Sequence, residues 1–187
     1  MKARRAHIFA KERHGLSARA TAHGTAGEHL VCADLLLNGY LAFQSAQGLP
    51  YDIILDVGDQ KLLRIAVKSS YRASKRPARE GSRLCYQFSV TRPRRLRSGK
   101  SDARPVTAEH ADIVAFVALD IRRVAYSHIS ECAQSMHFDP PGTPFIEGRA
   151  GQLAFRFRKT FEVWTIGRAL GVARGEIKPF PFKWRAA

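Results

Sequence analysis

Residues 51–68, YDIILDVGDQKLLRIAVK, alternate in polarity with a period of two on both sides of Gly58-Asp59. Ile53, Leu55 and Val57 share one face of the first run, and Asp52, Ile54 and Asp56 share the other. In the second run Leu63, Ile65 and Val67 alternate with Arg64, Ala66 and Lys68. This pattern predicts two half-buried strands, and Gly58-Asp59 predicts a two-residue hairpin turn between them. The second strand ends on Lys68-Ser69-Ser70. A negative partner for the lysine would be sought two residues back on the same face, but that position is the neutral Ala66.

The flanking sequence supplies the rest of a sheet and its helices. TAGEHLVCADLLLNGY carries Leu30, Val31, Leu35 and Leu36 at helical spacing, and Asn38-Gly39 ends the helix. YLAFQSA reads as a short strand and LCYQFSV as a further one. DIVAFVAL and RRVAYSHI form a second hairpin around Asp120-Ile121. SMHFDPPGTPF reads as a proline-rich loop, QLAFRFR as a strand with a basic face, and FEVWTIGRALG as a short helix. A helix, a run of strands and a late helix give an α/β or α+β fold with a central mixed β-sheet. Residues 1–20 are strongly basic and read as a mobile arm. Residues 21–187 then form one domain, with a core over 21–130 and an extension over 131–187.

The 187 residues carry a net charge of +15. A phosphate backbone is the natural partner of such a field, held through counterion release. The basic stretches are not amphipathic helices with broad apolar faces, so a membrane surface is not the expected partner. No apolar run is long enough to span a bilayer, and the N-terminus lacks the apolar stretch of a secretory signal. A soluble, intracellular protein of the cytoplasm or nucleoid is expected. Cys32, Cys85 and Cys132 form no CxxC pair and read as buried thiols, and the scattered histidines make no HxxxH zinc pair.

Three ionisable residues are oddly placed in this small core. Glu28 lies on or beside the apolar face of the first helix, Asp52 opens one strand, and Lys68 closes the next. If they converge at one end of the sheet, two carboxylates can hold Mg²⁺ with water and phosphate in its remaining shell. An ammonium there can orient an attacking water and stabilise charge on a phosphodiester. Each residue also has a plainer role open to it. Glu28 can close a capping box with Thr25, Asp52 can be a turn residue after Leu49-Pro50, and Lys68 can extend to solvent.

The block GTAGEHLVCADLLLNGYLAFQSAQGLPYDIILDVGDQKLLRIAVKSS resembles the PD-(D/E)xK nuclease core. It looks most like the branch of intron-associated homing endonucleases and archaeal-type Holliday junction resolvases. HADIVAFVALDIRRVAYSHIS resembles the strand pair that follows that core in the intron-associated branch. The resemblance implies a restriction-endonuclease-like core, a DNA substrate and Mg²⁺, with Mn²⁺ as a substitute. It assigns Glu28 and Asp52 as metal ligands and Glu28, Asp52 and Lys68 as the catalytic set. A homodimer is common in the family. Two positions depart from the pattern. Tyr51 separates the proline from Asp52, and Ala66 stands where the family has Asp, Glu or Gln. Gln87, on the following strand, is a candidate replacement ligand.

Residues 72–83 and 91–105 contain little apolar material and much arginine. They are expected as basic loops that hold DNA around the acidic site, through Arg72, Lys75, Arg76, Arg94, Arg95, Arg97 and Lys100. Three functions follow from these features. The first is a Mg²⁺-dependent DNA endonuclease. The second is a DNA-binding descendant that has lost cleavage. The third is an unrelated RNA-binding or ribosome-associated basic protein.

Overall fold

The computed structural model describes residues 2–78, 81–95, 101–143 and 159–179. Helix α1 spans Lys2–Leu37. It begins well before Thr21 and takes in most of the basic segment 1–20 that was expected as an arm. Alanine, arginine and lysine are all strong helix formers, so the segment can continue the helix without an apolar stripe of its own. The predicted stop holds. Gly39 takes φ 83°, and the Gly39 and Tyr40 amides donate to the carbonyls of Leu36 and Leu35.

Strands β1 (Leu41–Gln44), β2 (Ile53–Asp56) and β3 (Leu62–Ser70) follow in antiparallel succession. The β2–β3 turn is one residue longer than predicted. Gly58, Asp59 and Gln60 all have positive φ, and the Val57 and Lys61 amides donate to the carbonyls of Lys61 and Gly58. Asp56 Oδ1 accepts from the Gly58 amide and begins the reversal.

The arginine-rich stretches are largely strands rather than loops. Strand β4 (Ser74–Ala78) pairs with β5 (Gly81–Ser89), and β6 (Thr91–Arg95) pairs with β7 (Ser101–Pro105) as a two-stranded ribbon. The ribbon's sequence has no alternation of apolar and polar residues, which is why periodicity missed it. Strands β8 (Ile113–Ala118) and β9 (Arg123–His128) form the predicted hairpin. A short 3₁₀ turn, Ile129–Glu131, leads to β10 (Ser135–Phe138), where a loop was expected. Helix α2 (Ile166–Ala173) is capped by Thr165, whose hydroxyl accepts from the Arg168 amide. The strand expected over QLAFRFR lies outside the described residues.

The central sheet runs β1-β2-β3-β8-β9, with β3 and β8 parallel and every other pair antiparallel. It is the mixed sheet of an α+β fold, as expected. A second sheet, β10-β5-β4, covers part of one face. Odd positions of β3 belong to the layer shared with the helices, where Val31, Leu35, Ile53, Ile65, Ile113, Ile166 and Leu170 pack. Even positions belong to the layer shared with the second sheet, where Ala66, Phe88, Val114, Phe116, Phe138 and Trp164 pack.

Two polar clasps join distant parts of the chain. The Arg64 guanidinium grips Asp112 through Nε at 3.1 Å and Nη2 at 2.9 Å, and it also donates to the carbonyls of Ala108 and Glu109. Glu131, wholly buried, is held by both terminal nitrogens of Arg168 from α2, and that guanidinium also covers the Trp164 ring. Among the described residues no helix is long and apolar enough to cross a membrane.

Candidate active site

Asp52 stands immediately before β2, one residue past the last β2–β3 pair, Ile53 opposite Ile65. Its backbone is fixed on both sides: its amide donates to Ile65 O at 2.9 Å, and its carbonyl accepts from the Ser45 amide at 2.9 Å. Its Oδ2 accepts the Val67 amide at 2.6 Å. That bond fixes one oxygen of the carboxylate to the backbone of β3. The side chain is therefore held in place by the end of β3, as a turn residue alone would not require.

Lys68 lies on the same face as Ala66 and is half-buried, and its Nζ donates to Thr91 O at 2.9 Å. Burial pushes the lysine pKa below its ordinary value. The Asp52 charge holds it up in part, and Arg92 pushes it down again. The ammonium is thus not simply extended into solvent. The acidic charge that acts on Lys68 comes from Asp52, just before β2, and not from position 66.

Glu28 sits deep inside α1, with helix running through Thr25 and far beyond it. A capping box cannot form there, which removes the plainer role open to Glu28. Burial raises its pKa, the nearby Asp52 charge raises it further, and His29 offsets part of the rise. His29 Nδ1 lies 3.1 Å from Gln44 Nε2 and ties this turn of α1 to the end of β1. Asp52 is thus the common electrostatic neighbour of Glu28 and Lys68. Glu28 comes from the helix, Asp52 from the residue before β2, and Lys68 from the end of β3.

The fourth position is different. Ala66 is 2% exposed and belongs to the apolar layer with Val114 and Phe116. Gln87 is exposed on β5 and donates to Ser74 Oγ at 3.3 Å, so it does not replace the missing side chain. Among the described residues no three His, Cys, Asp or Glu side chains gather as a metal-binding group.

Around the site, Arg72 and Lys75 are exposed beyond the end of β3. Arg76 lies on β4, and Arg94 and Arg95 lie on β6. Arg97 and Lys100 lie outside the described residues. Sequence reasoning missed the Thr91 carbonyl, because a backbone acceptor leaves no mark in a sequence. Arg92 falls in the basic segment expected at the rim, but its effect on Lys68 was not legible there.

No protein-family model and no curated protein matches this sequence. Among solved structures, the chain is similar to that of a bacterial homing endonuclease, I-Ssp6803I, with a TM-score of 0.57. The match covers 84% of this chain and 98% of that one at 19% identity. At that identity the likeness is one of fold.

Proposed function

We propose that this protein is a Mg²⁺-dependent DNA endonuclease of the PD-(D/E)xK type, with Ala66 in place of the motif acid. The observation that carries the reading is Asp52, bound to the end of β3 through the Val67 amide and acting electrostatically on both Glu28 and Lys68. The shared fold with a homing endonuclease and the charge of +15 both support it. The donor set fits Mg²⁺, which keeps several waters and needs only one or two carboxylates plus substrate phosphate. Glu28 and Asp52 would hold it, and when bound it supplies charge neutralisation and a more acidic water.

The chain's own residues do the rest. Asp52 is pinned by the Val67 amide, so it has less rotamer freedom left to lose on binding. Lys68, held by Thr91 O, places an ammonium where it can orient the attacking water and stabilise charge on the scissile phosphate. Arg92, close enough to depress the lysine, adds a phosphate contact at the base of the β6–β7 ribbon. Arg72 and Lys75, with Arg76, Arg94, Arg95, Arg97 and Lys100, extend that basic rim.

A second reading, DNA binding without cleavage, is favoured by the burial of Ala66 in the apolar layer. Nicking of supercoiled plasmid separates the two. Cleavage is expected in Mg²⁺ and not in EDTA, and it should be abolished in Asp52→Asn while DNA affinity is kept or raised. Nicking by Asp52→Asn at the wild-type rate would remove Asp52 from the site. Tight DNA binding with no Mg²⁺-dependent nicking by the wild type would establish the second reading.

A further inference from the structure

We propose that Gly27 is a positioning residue: its missing side chain lets α1 settle on Ser69 of β3, and that close approach holds Glu28 beside Asp52. The inference rests on Glu28 and Asp52 being the metal-binding pair. A Cβ on Gly27 would overlap Ser69 Oγ, and it would stand 3.2 Å from Ser69 Cβ and 3.6 Å from Val67 Cγ1. Turning the Ser69 hydroxyl aside would relieve the first overlap, but Ser69 Cβ is fixed to the strand, so helix and strand would have to part by a few tenths of an ångström. Ser69 Oγ is buried and has no hydrogen-bond partner among the described residues.

Two unfavourable features therefore meet at one contact. Glycine is a poor residue for the interior of a helix, and a buried hydroxyl without a partner is disfavoured. Both are consequences of how closely α1 lies on β3. Glu28 is the next residue along α1, so the same contact sets how closely its backbone lies to the sheet. Parting α1 from β3 would draw Glu28 away from the sheet end where Asp52 stands. Gly24, one turn earlier, has no atom within 4 Å of where its Cβ would stand. It provides an internal control with the same helix chemistry and no strand beneath it.

The test is Mg²⁺ titration calorimetry on the full chain without DNA, at a temperature where circular dichroism shows each variant folded. Gly27→Ala should weaken Mg²⁺ binding by at least about 10-fold, the scale seen when support for a metal ligand is removed. Gly24→Ala should leave the affinity unchanged. Ser69→Gly in the Gly27→Ala background should recover most of the deficit. If Gly27→Ala does not fold, Ser69→Thr adds one methyl group at the same contact and should weaken Mg²⁺ in the same direction. A folded Gly27→Ala or Ser69→Thr with wild-type Mg²⁺ affinity and only a lower melting temperature would reduce the contact to packing and overturn the proposal alone. A wild type that binds no more Mg²⁺ than Asp52→Asn would overturn the metal pair, and this inference with it.

Discussion

Replacing Ala66 by glutamine or glutamate tests whether a metal belongs at this end of the sheet. Ala66 lies between Ile65, whose carbonyl accepts the Asp52 amide, and Val67, whose amide donates to the Asp52 carboxylate, so a side chain at 66 starts near Asp52. Lys68, two residues along the same face, is about 6.6 Å away. A glutamine oxygen can therefore reach a metal held by Asp52. The position is closed, however, at 2% exposure in a layer that includes Val114 and Phe116. Forcing extra atoms into such packing costs about 1–3 kcal/mol, and a buried amide without a partner costs about 1–3 kcal/mol more. The combined destabilisation, about 2–6 kcal/mol, is a large part of a domain's usual 5–15 kcal/mol. Metal at 100 times its dissociation constant returns about 2.7 kcal/mol. Ala66→Gln is thus expected to melt well below wild type in EDTA and to gain more from Mg²⁺ than wild type does. Ala66→Glu should fall further in EDTA and bind Mg²⁺ or Mn²⁺ more tightly by calorimetry, because it brings a charge with a larger desolvation cost. Any weak nicking should rise with metal affinity. If both variants fall in melting temperature and neither gains metal affinity, position 66 is ordinary packing and the metal site is refuted.

The arginine ribbon should act through phosphates. Alanine at Arg92, Arg94 and Arg95 together is expected to lower affinity for every DNA sequence and to flatten the salt dependence by about 0.9 in slope for each phosphate no longer neutralised. An unchanged slope in filter-binding titrations would exclude those arginines from the DNA interface. Away from the site, Arg168→Met deprives the wholly buried Glu131 of its two-pronged guanidinium and should cost about 3–5 kcal/mol in urea unfolding. The double variant with Glu131→Met should recover much of that, and a single-variant effect under about 1 kcal/mol would show that the pair holds little together.

The parts of this fold legible in the sequence were those whose burial leaves an apolar pattern. Strands β2 and β3 alternate, β8 is an unbroken apolar run buried at every position, and the second half of α1 has helical spacing. Glu28, Asp52 and Lys68 were legible because each is an ionisable residue beside an apolar pattern that does not need it. The β6–β7 ribbon was not, because backbone hydrogen bonds hold its strands together and leave no apolar pattern in the sequence. The first half of α1 was missed for a related reason, since its charge run reads as coil although its residues favour helix. Lys68 shows where reading along one strand fails. Its electrostatic partner stands just before β2, and its hydrogen-bond acceptor is a carbonyl 23 residues away. Ala66, read as a missing ligand, is also a member of the apolar layer, and one letter cannot show which role governs it.

The clasp between Arg64 and Asp112 bears on the order in which the protein assembles. Helix α1 and strands β1, β2 and β3 are consecutive, so the candidate site can gather through contacts of modest sequence separation. Strand β3 then pairs in parallel with β8, and the clasp joins residues 48 positions apart at the start of that pairing. Long-range parallel pairing is slow because loop-closure entropy is given up before the contacts form. Asp112 meets the advancing strand with a bidentate grip and an additional bond from the Arg64 amide at 2.8 Å. These bonds fix the register as closure begins and disfavour a one-residue slip that would turn Lys68 to the opposite face. A charged pair remote from the site thereby protects its handedness during folding.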